Sequence, residues 1–111
     1  MELNLKDVKT IHFIAICGMG MGSLAGMLKS RDYVITGSDV DVYPPMSIQL
    51  QEMGIEVKEG YRPENLEPQP DLVIVGNAVS RNNPEVQAML AKGLPYLSFP
   101  QALREFFLHG K

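Results

Sequence analysis

The residues best suited to chemistry begin with a glycine-rich turn at positions 16–23, which reads ICGMGMGS. Gly18 and Gly20 have the spacing of the first two glycines of a G-x-G-x-x-G turn, and Ser23 stands at the third position. The first glycine permits a tight turn, the second lacks the Cβ that would hold a pyrophosphate away, and the N–H groups of a following helix favour an anion. The pattern predicts a diphosphate site formed by Gly18, Met19, Gly20, Met21, Gly22 and Ser23. The alternative is that the glycines only let the turn form and the helix pack against a sheet.

An acidic residue follows this turn at the distance expected for ribose binding. Asp39 lies about 20 residues after Gly18, next to Ser38 and at the end of a second β-rich run. An acid at that place accepts hydrogen bonds from ribose hydroxyls in dinucleotide-binding folds. We therefore expect Ser38 and Asp39 to bind a nucleoside; the alternative is that Asp39 is only a turn residue.

A third group of candidates follows the apolar run at 71–75. Ligands of doubly wound sheets bind beyond the carboxyl ends of the strands, where the strand order reverses. If this run lies on the far side of the first strand, positions 76–81 face the glycine turn. Gly76 permits close approach, Asn77 can hydrogen-bond a ribose or a base, and Arg81 can pair with an anion. The candidates here are Gly76, Asn77, Ala78 and Arg81, and a solvated loop charge is an equal alternative for Arg81.

No residue is predicted to catalyse a reaction. His12 is placed at the start of a strand, at the end opposite the glycines, His109 is near the C-terminus, and Cys17 has no histidine positioned to activate it. The sequence contains no paired carboxylates at helical spacing, no cysteine–histidine metal cluster and no G-x-x-x-x-G-K-[ST] loop. We expect a binding site without catalytic residues, metal or cofactor.

The elements that must position these residues alternate between strands and helices. Short apolar runs predict strands at 12–16, 33–37, 55–57, 71–75 and 96–98. Apolar periodicity and capping signals predict helices at 21–30, 47–53, 84–92 and 101–108, with Ser47 and Asn83 as N-caps and Gly54 and Gly93 as stops. Strands that alternate with helices pair in parallel. The order predicts an α/β fold, a Rossmann-like doubly wound parallel sheet of about five strands with helices on both faces, in a single domain.

Composition narrows the class of partner. The 111 residues are 45% apolar and 21% charged, which suits one domain with one core. Ten basic and thirteen acidic residues give a net charge of −3 without a basic cluster, which argues against nucleic acid as a partner. The single cysteine suits a reducing cytoplasm. The N-terminus lacks the pattern of a signal peptide, and no apolar run approaches the roughly 20 residues of a membrane span. We expect a cytoplasmic domain with no membrane partner.

Four segments together resemble the Mur ligase family. They are the glycine turn at 16–22, TGSD at 36–39, VYPPMS at 42–47 and GNAVSR at 76–81, of which the last two are the most discriminating. The resemblance covers nearly the whole chain. The sequence departs from the family pattern at Asn82 and Phe99, where glycine is expected, and at Ala102, where tryptophan is expected.

The resemblance implies an ATP-dependent amide-forming ligase with three domains. Its N-terminal domain, here residues 1–111, would bind the UDP part of UDP-N-acetylmuramate. ATP and Mg²⁺ would bind a central domain and the incoming peptide a C-terminal one, and both domains would lie beyond this chain as further parts of the same polypeptide. The match is nearer to the branch that adds the tripeptide L-alanyl-γ-D-glutamyl-meso-diaminopimelate in peptidoglycan recycling than to the branch that adds L-alanine.

Three alternatives to this interpretation remain open at the level of sequence. The chain is also compatible with the same domain of the L-alanine-adding ligase, which has a similar glycine turn. From a different class, the two glycines and Asp39 suit a stand-alone NAD(P)-binding or sensor domain. A purely structural α/β interaction module leaves the coincidence of the three candidate groups unexplained.

Overall fold

Five strands form the sheet at the centre of the molecule. The structure, a computed structural model, describes residues 5–18, 20–40, 42–77 and 79–108. The strands are β1 (Thr10–Ile14), β2 (Val34–Asp39), β3 (Glu56–Glu59), β4 (Leu72–Val75) and β5 (Tyr96–Ser98). They lie in the order β3-β2-β1-β4-β5, and each neighbouring pair is parallel. The parallel sheet predicted from the alternating pattern is therefore confirmed.

In the part of the chain that the structure describes, four α-helices connect or follow the strands. They are α1 (Met21–Lys29), α2 (Met46–Glu52), α3 (Pro84–Ala91) and α4 (Phe99–Leu103), and a π-helical turn (Arg104–Leu108) extends α4. Short 3₁₀ turns cover Leu5–Asp7 and Pro63–Leu66. Asn83 caps α3 as predicted, because its side-chain oxygen accepts from the backbone N–H groups of Glu85 and Val86. None of the described helices combines the length and apolar character that crossing a membrane would need.

Helices cover both faces of the sheet, as the doubly wound interpretation requires. On one face, Phe13 and Ile35 pack with Leu24 and Leu28 of α1 and with Leu50 of α2. On the other face, the core consists of Ile14, Leu66, Val73, Val86, Met89 and Leu94. The burial of apolar side chains on two sides of one sheet explains why the strands read as continuous apolar runs.

Several predicted boundaries are wrong, and one of them changes the site. β1 ends at Ile14 instead of Ile16, because the chain turns at Ala15, whose φ is +73°. His12 is consequently a buried residue in the middle of β1 and does not begin the strand. Ser47 does not cap α2, which begins one residue earlier after Pro45.

The strand order decides which loops meet. Because β4 lies beside β1 and opposite β2, the order reverses between β1 and β4, which is where ligands of such sheets bind. Gly76, just after β4, donates from its N–H to Ile14 O at 3.0 Å. A Cβ on Gly76 would lie 3.6 Å from Met21 Cε, and one on Gly18 would lie 3.8 Å from Met21 Cγ. Gly76 thus lies beside Met21 of the glycine turn. That the rest of the 76–81 segment faces this turn stays a prediction.

Candidate functional site

The turn that leaves β1 is fastened to the end of β2. Ala15 and Ile16 both donate their backbone N–H groups to Ser38 O, at 2.8 and 3.0 Å. Ala15 adopts a positive φ of 73°, a conformation that disfavours side chains with a Cβ and that is enriched at functional sites. The two hydrogen bonds compensate for this strain and direct the chain into the glycine turn.

Asp39 at the end of β2 connects three segments of the site. Its Oδ2 accepts from Cys17 N at 2.9 Å, and its Oδ1 accepts from Val40 N at 2.7 Å and from Tyr61 Oη at 3.4 Å. Only 5% of Asp39 is exposed. The carboxylate therefore holds the start of the glycine turn against β2.

A cleft of about 620 Å³ opens above Asp39, and we call it the first cleft. Its polar floor is Asp39 with the chain at Cys17 and Gly18. Segment 43–46 and Tyr61 supply aromatic and apolar walls, and Val79, Ser80 and Asn83 form the opposite rim. The volume and the mixture of apolar walls with a few polar groups are typical of small-molecule sites.

A second cleft of about 530 Å³ lies beyond β4 and β5. It shares Val79 and Ser80 with the first cleft, so this segment separates the two. Gly76, Asn77 and Arg81 line the second cleft, together with apolar side chains of α3. Among the described residues that line either cleft, Arg81 carries the positive charge.

Five of the candidate residues line these two adjacent clefts, and Gly20, Met21, Gly22, Ser23 and Ser38 are not among their lining residues. Gly18 and Asp39 line the first, and Gly76, Asn77 and Arg81 line the second. Ser38 is fully buried beneath the first cleft, with its hydroxyl directed inward to Glu85. Met19 and Ala78, as well as His109, lie outside the described residues. Whether these residues bind a ligand stays a prediction.

The glycine turn owes its glycines to packing inside the protein. Gly20 has φ +83°, and a Cβ there would lie 2.8 Å from Phe99 Cζ. A Cβ on Gly22 would collide with the side chain of Met46. The sequence pattern predicts that the missing Cβ of Gly20 makes room for a pyrophosphate, and in the structure the same position points at the ring of Phe99. Met21 is buried like Gly22, whereas Ser23 is exposed. The N–H of Met21, at the start of α1, already donates to Gly18 O at 3.1 Å.

A buried polar network lies beneath the first cleft. Glu85, the second residue of α3, is fully buried. Its Oε2 lies 2.6 Å from His12 Nε2 and accepts from Ser38 Oγ at 2.8 Å. Its Oε1 accepts from Asn65 Nδ2 at 2.7 Å and from Arg62 N at 3.2 Å. Four donors from three segments, β1, β2 and the loop at 62–65, thus converge on one carboxylate.

The network keeps Glu85 ionised. Burial raises the pKa of Glu85, but the hydrogen bonds from His12, Asn65 and Ser38 outweigh it and hold the pKa below its ordinary value. An ionised carboxylate only accepts, so Nε2 of His12 carries the proton in their contact. The other ring nitrogen, Nδ1, lies 2.8 Å from Thr36 Oγ1.

Sequence reasoning missed Glu85, Asn65 and Tyr61. Glu85 at the start of α3 reads as an acid that complements the helix dipole, and nothing local indicates that it is buried. One signal was present: a histidine inside the apolar run of β1 requires a polar partner, because buried polar groups are nearly always hydrogen-bonded. That signal predicts a partner for His12 without identifying it.

The arrangement can bind and orient a ligand. Among residues 5–18, 20–40, 42–77 and 79–108, no group of three or more His, Cys, Asp or Glu side chains is placed to hold a metal ion. Asp39 and the backbone of the turn offer acceptors and donors, and Tyr43 and Tyr61 offer flat surfaces. These groups suit a nucleoside that carries an anionic extension.

Comparison with known proteins gives the following matches. The model of the family described as "Mur ligase family, catalytic domain" matches residues 10–111. The UDP-N-acetylmuramate–L-alanyl-gamma-D-glutamyl-meso-2,6-diaminoheptandioate ligase of Escherichia coli is 52% identical over 91% of this chain and 22% of its own length. The ligase of the same name from Haemophilus influenzae is 47% identical over 94% of this chain and 23% of its own length. The UDP-N-acetylmuramate–L-alanine ligase of Lactobacillus acidophilus is 41% identical over 91% of this chain and 23% of its own length.

This chain is also similar to a solved structure. The crystal structure of a murein peptide ligase from Psychrobacter arcticus superposes with a TM-score of 0.87 and 46% identity, over 93% of this chain and 22% of that chain. The present chain therefore spans about a fifth of the length of these relatives.

Proposed function

The chain belongs to the Mur ligase family, and on this premise we propose that residues 1–111 form the N-terminal, UDP-N-acetylmuramate-binding domain of an ATP-dependent amide-forming ligase. The ligase joins L-alanyl-γ-D-glutamyl-meso-diaminopimelate to UDP-N-acetylmuramate during peptidoglycan recycling in the cytoplasm. The observation that carries the proposal is the 52% identity to a ligase named for these substrates, over 91% of the chain. The remaining domains of the same polypeptide are its partners.

A second candidate is the same domain of an L-alanine-adding ligase. It is favoured by the relative from Lactobacillus acidophilus, which is named for that reaction. The identity to that relative is 41%, against 52% and 47% for the two tripeptide-adding ligases. The difference favours the tripeptide as the second substrate.

We assign the nucleoside to the first cleft. Asp39 is the acceptor for ribose hydroxyls, and the walls of 43–46 and Tyr61 hold the base by contact with its faces. The diphosphate lies towards the turn at 18–23 and the start of α1, where the helix dipole favours an anion. The ligand continues past Val79 and Ser80 towards Asn77 and Arg81, whose guanidinium neutralises part of its charge.

ATP and Mg²⁺ do not fit the residues described here. The sequence lacks a G-x-x-x-x-G-K-[ST] loop, and the described residues lack a cluster of metal ligands. We therefore place both outside this chain, where ATP supplies the phosphoryl group that activates the substrate carboxylate. The part of this chain is to bind the nucleotide handle of the substrate and fix its orientation, which lowers the entropic cost of the later step.

Isothermal titration of the 111-residue protein tests the proposal. UDP-N-acetylmuramate and UDP are expected to bind saturably, whereas NAD is expected to give no saturable signal. Saturable binding of NAD with no response to UDP or UDP-N-acetylmuramate would refute the proposal and favour a nicotinamide-binding domain. No binding of any of the three would leave the structural interaction module as the better interpretation.

The second substrate requires the longer protein that contains this chain. We expect that protein to release phosphate from ATP when given UDP-N-acetylmuramate and the tripeptide, and much less with free L-alanine. The opposite preference would assign the chain to the alanine-adding branch.

A further inference from the structure

One wall of the first cleft is held by a carboxylate that has no access to the cleft. Tyr61 lies in the short loop at 60–62, which connects β3 with the 3₁₀ turn at Pro63–Leu66. Glu85 Oε1 accepts from Arg62 N at 3.2 Å and from Asn65 Nδ2 at 2.7 Å. The same Asn65 amide donates to Gly60 O at 2.8 Å. Hydrogen bonds therefore fix the loop on both sides of Tyr61.

The other oxygen of Glu85 holds the floor of the cleft. Its Oε2 accepts from Ser38 Oγ at 2.8 Å, and Ser38 O accepts the N–H groups of Ala15 and Ile16. Asp39, the next residue, presents its carboxylate to the cleft. The end of β2 and the exit of β1 thus depend on the same buried carboxylate as the Tyr61 loop.

We infer that Glu85 is a positioning residue for the ligand of the first cleft, because its four hydrogen bonds fix Tyr61 relative to Asp39. The inference rests on the proposed function, since it assumes that a UDP-linked ligand occupies this cleft. Glu85 is fully buried, so it acts only through the residues it holds. Its role depends on hydrogen-bond geometry, and its charge is not required.

The charge of Glu85 is not required because a neutral amide can form hydrogen bonds with the same partners. In a Glu85→Gln variant, the amide oxygen still accepts from Arg62 N and Asn65 Nδ2. The amide NH₂ donates to Ser38 Oγ and to His12 Nε2, once His12 carries its proton on Nδ1 and donates it to Thr36 Oγ1. Each of the four partners of Glu85 therefore keeps a hydrogen bond to residue 85, although the hydroxyl protons of Ser38 and Thr36 must turn away from Glu85 and His12. Asn65→Ala, in contrast, removes the amide that joins Glu85 Oε1 to Gly60 O and leaves Arg62 N as the one remaining hydrogen bond from the loop to Glu85 among the residues that the structure describes.

The test compares dissociation constants for UDP-N-acetylmuramate by isothermal titration, under conditions in which urea unfolding shows each variant to be native. Asn65→Ala is expected to bind about tenfold more weakly. Ser38→Ala cuts the other link and is measured alongside, so that the test stands if one of the two variants does not fold. Glu85→Gln is expected to stay within about threefold of the original protein.

Leu28→Ala is the matched control. Leu28 is fully buried in α1 and lines neither cleft, so its truncation destabilises the protein without touching this network. Its dissociation constant is expected to change less than about twofold. An equal loss of affinity in Leu28→Ala and Asn65→Ala would overturn the inference, because general destabilisation would then explain it.

Other results separate the two proposals. If the original protein does not bind the ligand, the proposed function fails. If the original protein binds the ligand and both Asn65→Ala and Ser38→Ala bind it with the same affinity as the original protein, only the role of Glu85 is overturned. A loss of affinity in Glu85→Gln as large as that in Asn65→Ala would refute the claim that hydrogen-bond geometry suffices.

In the free protein, the backbone amide resonance of Tyr61 is expected to shift in Asn65→Ala and to stay in place in Leu28→Ala.

Discussion

Gly20→Ala should destabilise the protein for two separable reasons. The first is conformational: the φ of +83° at Gly20 disfavours any residue with a Cβ, at a cost of at least about 1–2 kcal/mol. The second is steric: the new Cβ would lie 2.8 Å from Phe99 Cζ and 3.2 Å from Cε2. Overpacking of this kind costs about 1–3 kcal/mol. The expected total loss in the free energy of unfolding is about 2–5 kcal/mol.

Two matched backgrounds separate these terms. Phe99→Leu removes the ring atoms near Gly20, so Gly20→Ala in that background should cost only the conformational term of about 1–2 kcal/mol. Gly93→Ala measures that term elsewhere, since Gly93 has φ +65° with no atom within 4 Å of the added Cβ. The assay is urea unfolding followed by circular dichroism. An equal cost of Gly20→Ala with and without Phe99→Leu would refute the steric argument, and a cost below about 0.5 kcal/mol would refute the backbone geometry as well.

Three further outcomes are expected. Stability should fall in acid, because hydrogen bonds hold the pKa values of Glu85 and Asp71 below their ordinary range, for Asp71 chiefly those from the backbone of Lys9 and Thr10. The folded state then binds fewer protons than the unfolded state, so this stabilisation is complete above about pH 5 and is lost as the pH falls through the folded-state pKa values. The urea midpoint is measured from neutral to acidic pH, and its dependence on pH should be weaker in Asp71→Asn and in Glu85→Gln. A rise in stability on acidification would contradict the predicted direction. Arg81→Ala should weaken the binding of UDP-N-acetylmuramate about fivefold to tenfold but leave uridine binding and stability unchanged, because Arg81 is exposed and contributes only charge. Equal affinities for UDP-N-acetylmuramate before and after the change would show that the guanidinium is merely solvated. Asp39→Ala should weaken the binding of uridine and of UDP alike. It should also lower the free energy of unfolding by about 1–3 kcal/mol, since the N–H groups of Cys17 and Val40 lose an acceptor. Asp71→Ala is the control for ligand affinity, and an unchanged uridine affinity in Asp39→Ala would show that the ribose binds elsewhere.

Much of the fold was predictable because its signals are local. The apolar run at 71–75 became β4, and the Asn-Pro-Glu signal at 83–85 became the capped start of α3. Boundaries failed where tertiary hydrogen bonds override local preference. β1 stops at Ile14, because the N–H groups of Ala15 and Ile16, which the sequence pattern assigns to the same strand, both donate to Ser38 O.

The candidate site was predictable as a region and not as a set of contacts. Parallel strands bring their carboxyl ends to one edge, so the turn at 18–23, Asp39 and the 76–81 segment had to be near each other. Their division between two clefts depends on where Val79 and Ser80 lie. The position of these two loop residues cannot be predicted from the periodicity of the sequence. The same holds for Tyr61, which enters the first cleft from a loop without a motif.

The amino-acid sequence by itself determined the order of strands and helices, the glycine turn with its acidic partner, and the family resemblance. Each depends on residue types at short spacing, where backbone preference and side-chain periodicity act directly. Only the tertiary structure decided that Gly20 faces Phe99 and that Glu85 joins His12, 73 positions away. Such partners are chosen by the order of strands in the sheet and the packing of helices on it. A buried polar side chain must find a hydrogen bond, but which residue supplies it is a property of the assembled core.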